Sequence, residues 1–175
     1  MFILAHLGIG SKIVSPWTKG LSLKAVYLGT LLPDLIDKPL YYGVSLYTHL
    51  TGTEQGFIST TRTVAHTGIF LVVLAMTAYV KRSKLLAAIT LGVASHLLLD
   101  GFNLTGGPPD QNVALIFPFG GFKFADARYV NLREHLSSFA NLGTLIEESI
   151  GALILITDYY LYRRQSRKTS SRPKK

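Results

Sequence analysis

Cysteine is absent from the chain, so disulfides and thiolate metal sites are excluded, and any transition-metal site must be built from His, Asp and Glu. Charge is scarce as well. Charged residues make up 16% of the sequence and hydrophobic residues 48%, whereas soluble domains carry about 25% charged residues. That balance points towards a membrane. Long apolar runs are also few: "VAHTGIFLVVLAMTAYV" (64 to 80) has 17 residues without Lys, Arg, Asp or Glu, at the short end of the roughly 17 to 25 that span a bilayer. A compact soluble helical domain with a buried hairpin would show similar runs. The N-terminal "MFILAHLGIG" has no basic leader and its apolar stretch is broken by a histidine, so it does not read as a signal peptide.

The 175 residues fit one domain, with no linker or internal repeat. A net charge of +8 raises the question of nucleic acid, but much of it sits in "KRSK" (81 to 84) and in the tail "RRQSRKTSSRPKK" from Arg163. Both clusters adjoin apolar runs, so a positive-inside membrane reading accounts for them more simply. The tail has the composition of a disordered basic segment. The expected organisation is a single domain over 1–162 followed by a basic tail over 163–175.

The expected fold is an all-α membrane bundle of about four or five helices. "LSLKAVYLGTLL" (21 to 32) reads as a helix stopped by Pro33. The 64–80 run and "LLAAITLGVASHLLL" (85 to 99) form a helical hairpin around the basic turn, and "LGTLIEESIGALILITDYYLY" (142 to 162) is the last helix. Its Tyr159, Tyr160 and Tyr162 suit a membrane interface. The segment 101–131, rich in Gly, Pro and Phe, reads as an irregular loop or short β-hairpin around Gly120 and Gly121 that faces a substrate.

"ASHLLLDG" places His96 and Asp100 four residues apart in an apolar helix, on one face and at metal-ligand spacing. A core histidine bonded to a carboxylate has the same spacing. If Lys81 to Lys84 and the tail are cytoplasmic, Asp34, Asp37, His66, His96, Asp100, Glu147 and Glu148 all fall near the outer level of the bundle. A cluster of carboxylates would repel itself there, and a divalent cation is a natural counter-charge. Ionisable residues in apolar helices default to function. Glu147 and Glu148 point about 100° apart on a helix, and Glu147 is favoured as the inward one. His49 and His135 read as surface histidines, and Arg62 either snorkels to an interface or binds substrate.

The order of "AHLGIG", "LGTLLPDLIDKP", Arg62 with His66, "SHLLLDG" and Phe117-Pro118-Phe119 resembles the inner-membrane-associated metal-dependent hydrolase family, a LexA-binding membrane hydrolase group. The likeness covers the first 120 residues, and the last helix through its glutamates alone. Asp37 stands one place beyond the family's second carboxylate, and Thr61 stands where the family has a histidine. More distantly, the succession is similar to zinc-dependent phospholipase C and P1 nuclease proteins. The resemblance implies that His6, Asp34, His66, His96 and Asp100 hold one or two divalent ions, zinc or alternatively manganese. It implies hydrolysis of a phosphoester, on a lipid or a small molecule, by a metal-activated water. Asp37 or Glu147 would then be a further metal ligand or the general base, and Arg62 a phosphate-binding group. The alternative is a non-catalytic membrane binding or regulatory protein with a structural metal; nucleic acid is the least favoured partner.

Overall fold

The structure, a computed structural model, describes residues 3–102, 114–124, 129 and 131–170. Among them every regular element is helical. The N-terminal segment runs through α1 (Ile3–Ala5), a π-helical turn (His6–Gly10), α2 (Ser11–Val14) and a 3-10 turn (Ser15–Trp17). Four longer helices follow: α3 (Leu23–Thr48), α4 (Gly68–Val80), α5 (Lys84–Phe102) and, after the short α6 (Leu132–Ser137), α7 (Leu142–Ser170).

The helix starts are written in polar caps. Ser22 Oγ accepts from Ala25 N at 3.4 Å for α3, Thr67 Oγ1 from Phe70 N at 3.1 Å for α4, and Ser83 Oγ from Leu86 N at 3.3 Å for α5. The Thr67 cap starts the second long helix at Gly68, so Ala65 and His66 belong to the preceding turn and not to the helix expected from 64. At the other end of α3, His49 closes the helix in a left-handed conformation, φ 58°.

α3 corrects another expectation. Pro33 does not stop it; the helix continues through Pro33 and Pro39 for 26 residues. Tertiary packing outweighs the lost amide donors, because α3 lies along α5 with backbone against backbone. A Cβ on Gly29 would collide with the Ile89 carbonyl, and one on Gly92 with that of Val26. Around that crossing Val14, Ala25, Val26 and Ala88 form an apolar core.

Elsewhere the usual order is inverted. His6, His96, Asp37, Thr30, Thr63 and Ser95 are fully buried, while Val72, Val73 and Met76 of α4 and Leu153 and Ile156 of α7 are exposed. Polar groups inside and apolar groups outside are what a lipid solvent favours. Among the described residues one helix, Lys84–Gly101, is long and apolar enough to cross a membrane. Leu132–Ala140 with Leu142–Arg164, bent by 75°, make a second if counted together. α4, at 13 residues, is shorter.

The insertion is irregular where it is described: residues 114–120 form turns, and Gly120 and Gly121 sit in no strand. Gly120 N bonds Ile116 O and Gly121 N bonds Pro118 O, local turn bonds in place of a cross-strand ladder. Residues 103–113 lie outside the described part. α7 continues past Arg163 to Ser170, so the basic tail starts as helix, and 171–175 lie outside the described residues.

Candidate metal centre

Four elements deliver the polar cluster. α3 presents Thr30, Asp34, Asp37 and Tyr41 at helical spacing on one face. The turn before α4 brings Arg62 and His66, α5 brings His96 and Asp100, and the π turn brings His6. A π turn widens the helix by one residue, a distortion common at functional positions.

Two groups of side chains have ligand atoms within 4.8 Å of one another: His6, His96 and Asp100, and Asp34, His66 and His96. Their closest part is a triangle. His66 Nε2 and His96 Nε2 are 3.2 Å apart, and each lies 3.5 Å from Asp100 Oδ2. Nitrogen donors around a tetrahedral zinc, at 2.0 to 2.1 Å, stand about 3.3 Å from each other. Asp34 Oδ1 supplies a fourth corner, 3.6 Å from His66 Nε2 and 3.9 Å from His96 Nε2.

The outer nitrogens fix which lone pairs face inward. His96 Nδ1 lies 2.7 Å from the Thr30 carbonyl, which only accepts, so Nδ1 carries a proton and Nε2 is the nitrogen turned to the cluster. His66 Nδ1 donates to Asp37 Oδ2 at 2.7 Å. Two neutral imidazoles so oriented would point lone pairs at each other across 3.2 Å, an arrangement that calls for a proton or a cation between them. Without metal, the proton belongs to His66. Burial pulls its pKa down, but hydrogen bonds to Asp34 and Asp37 and the charge of Asp100 raise it to about 9. His6, buried and stacked on the His96 ring at 4.0 Å, is held neutral by burial and by His96, its pKa lowered to about 3.

The donor set therefore fits a divalent ion. His96 has one available nitrogen, so the two groups cannot each claim it. One ion would take His66, His96, Asp100 and Asp34. A second would use His6 and Asp100 Oδ1, which stand 3.8 Å apart and where Arg62 Nη2 now sits at 2.9 Å.

Asp37 is placed behind the centre. Its Oδ2 accepts from the backbone amides of Thr63 at 2.8 Å, Ala65 at 3.1 Å and His66 at 3.2 Å as well as from the His66 ring. It orients the His66 ring instead of reaching the cleft itself. Arg62, His66, Asp100, Ala114 and Leu115 line that cleft, so the described part of the insertion borders the centre. Gly68 N bonds Leu115 O at 2.9 Å and ties the insertion to the start of α4.

Glu147 is buried on α7 but belongs to neither ligand group. Glu148 is buried too, overturning the expectation that only one of the pair turns inward. The N-terminal segment packs on α7, and Glu148 accepts from Leu4 N at 2.8 Å and Ala5 N at 3.1 Å, holding the segment that carries His6. His135 is also no surface residue. It is buried, hydrogen-bonded through Nδ1 to Tyr42 Oη at 2.7 Å and stacked against Tyr129. Lys38, 2.6 Å from Asp34, lies on the same side.

An apolar exterior around a buried His and Asp centre defines a helical membrane protein with an internal polar site. The family profile described as YdjM inner membrane protein matches residues 2–166, and the chain belongs to that family. The match carries the membrane assignment; it carries neither hydrolase activity nor the likeness to P1 nucleases. No curated protein and no solved structure gives a significant match.

Proposed function

We propose that the chain is a membrane-bound, metal-dependent hydrolase of phosphoesters, borne on a lipid or a small molecule. The observation that supports it is the triangle of His66 Nε2, His96 Nε2 and Asp100 Oδ2 with edges of 3.2, 3.5 and 3.5 Å. A zinc-like ion held there supplies an acidified water and a Lewis acid. The chain's own residues do the rest. Asp37 and the Thr30 carbonyl fix the two imidazoles, and Arg62 holds Asp100 with one nitrogen while its planar fork lines the cleft where a phosphate oxygen would bind. Manganese is the alternative ion.

In this reading the protein crosses the inner membrane several times, with the Lys81 to Lys84 turn and the basic tail in the cytoplasm and the centre towards the outer face. A second reading, a non-catalytic protein with a structural ion, draws on the nearly complete burial of His6, His66 and His96. Elemental analysis of detergent-purified wild type beside a His96→Ala/Asp100→Ala variant tests the metal. Stoichiometric zinc or manganese lost in the variant, followed by metal-dependent phosphodiester cleavage, supports hydrolysis. Bound metal without turnover selects the structural reading, and no metal after reconstitution ends both.

A further inference from the structure

A groove of about 820 Å³ opens at the other end of the α4–α5 hairpin, between Trp17, the last turn of α4 and the first turns of α5. Its volume is that of a small-molecule site. Ala78, Ala87 and Leu91 contribute to a smooth apolar wall, and Arg82 and Lys84 stand where α4 passes into α5. Trp17 and Tyr79, both largely exposed, also line it with rings that suit a membrane interface. The metal centre is remote: from Lys84 to His96 α5 rises ~18 Å.

The turn itself carries the second observation. Ser83 N bonds Ala78 O and Arg82 N bonds Tyr79 O, each at 3.1 Å, the paired bonds that end a helix through a left-handed residue. Glycine is the usual residue there because any Cβ is disfavoured. This chain places Arg82 there instead, at φ 48°. An arginine thus stands, on a backbone position that disfavours any Cβ, at the charged end of an apolar groove.

We propose that the groove binds an anionic phospholipid, its phosphate on Arg82 and Lys84 and one acyl chain along the Ala78, Ala87 and Leu91 wall. Charge complementarity selects this occupant, since a zwitterionic lipid would place a third cation beside the two already there. The lipid would brace the hairpin whose far end holds His66, His96 and Asp100. The inference rests on membrane residence and not on the metal centre.

The test is native mass spectrometry and thermal unfolding of the detergent-solubilised full chain with phosphatidylglycerol or phosphatidylcholine of identical acyl chains. Wild type is expected to bind phosphatidylglycerol more tightly, and Arg82→Gly/Lys84→Gln to lose about thirty-fold of that affinity, at roughly one bilayer-surface interaction per cation. Arg82→Gly alone relieves the left-handed turn, so its melting temperature in phosphatidylcholine should equal or exceed wild type, which separates lost binding from lost folding. A Lys174→Gln/Lys175→Gln chain, with the same charge removed elsewhere, should keep the preference. Equal binding of both lipids by wild type overturns the proposal. So does an equal loss in the tail variant, or a groove found covered by a second copy of the chain with no lipid preference.

Discussion

Asp37 and Asp100 sit on opposite sides of His66, and their separate duties predict separate failures. Asp37→Asn weakens the hold on the His66 ring and on the turn before α4, so zinc affinity should fall about 10- to 100-fold. Any turnover should return when zinc is raised; a variant that keeps full affinity yet loses activity would make Asp37 a general base instead. Asp100→Ala removes a ligand and leaves Arg62 unopposed, so metal content itself should drop. The raised pKa of His66 adds a pH dependence. Below about 9 the ion must displace a proton from His66, so apparent zinc affinity should climb as pH rises towards that value, with proton release visible by calorimetry in buffers of different ionisation heat. In the metal-free protein His66 contributes stability below its ordinary 6.5, and this fades as pH rises to about 9. His6, held neutral down to about 3, costs stability as pH falls below 6.5. The two signs oppose, and metal-free melting temperature should peak near pH 6.5. His96 and Asp100 were legible from their spacing, and His66 from its place at a helix end and from the family resemblance. The duty of Asp37 was not, because the amides of Thr63, Ala65 and His66 that occupy it come from a turn no pattern announces.

At the level of elements, the centre depends on helices meeting closely where no ligand is involved. Gly92→Val places a side chain against the backbone of α3 at Val26 and Thr30, the residue whose carbonyl orients His96. Overpacking of this kind costs about 1 to 3 kcal/mol. The variant should melt lower and bind zinc more weakly, although every ligand is intact. The hairpin and the last helix were readable from apolar runs and the basic turn. The passage of α3 through Pro33 and Pro39 was not, since a local stop signal says nothing about the α5 surface that holds the helix together across it. Likewise the burial of both Glu147 and Glu148 follows from the N-terminal segment lying over α7, a contact invisible to helical periodicity.

For the molecule as a whole, the lack of native cysteine makes topology directly measurable. Lys81→Cys in the basic turn and Phe119→Cys in the exposed insertion should react on opposite sides of the membrane, with only Phe119→Cys modified by an impermeant maleimide added from outside. Reaction of both from one side would contradict the proposed orientation. Composition announced the membrane, but not how the lining would be divided between a buried polar interior and a lipid-facing shell. The bond from Leu4 to Glu148 spans 144 positions of sequence, and it sets an order of biosynthesis. Asp34, His66, His96 and Asp100 are all made before α7 leaves the ribosome, so the segment bearing His6 can settle on α3 and α5 early, but its latch on Glu148 must wait for α7. Until α7 is made, the His6 segment is therefore seated on the centre without the carboxylate that fastens it.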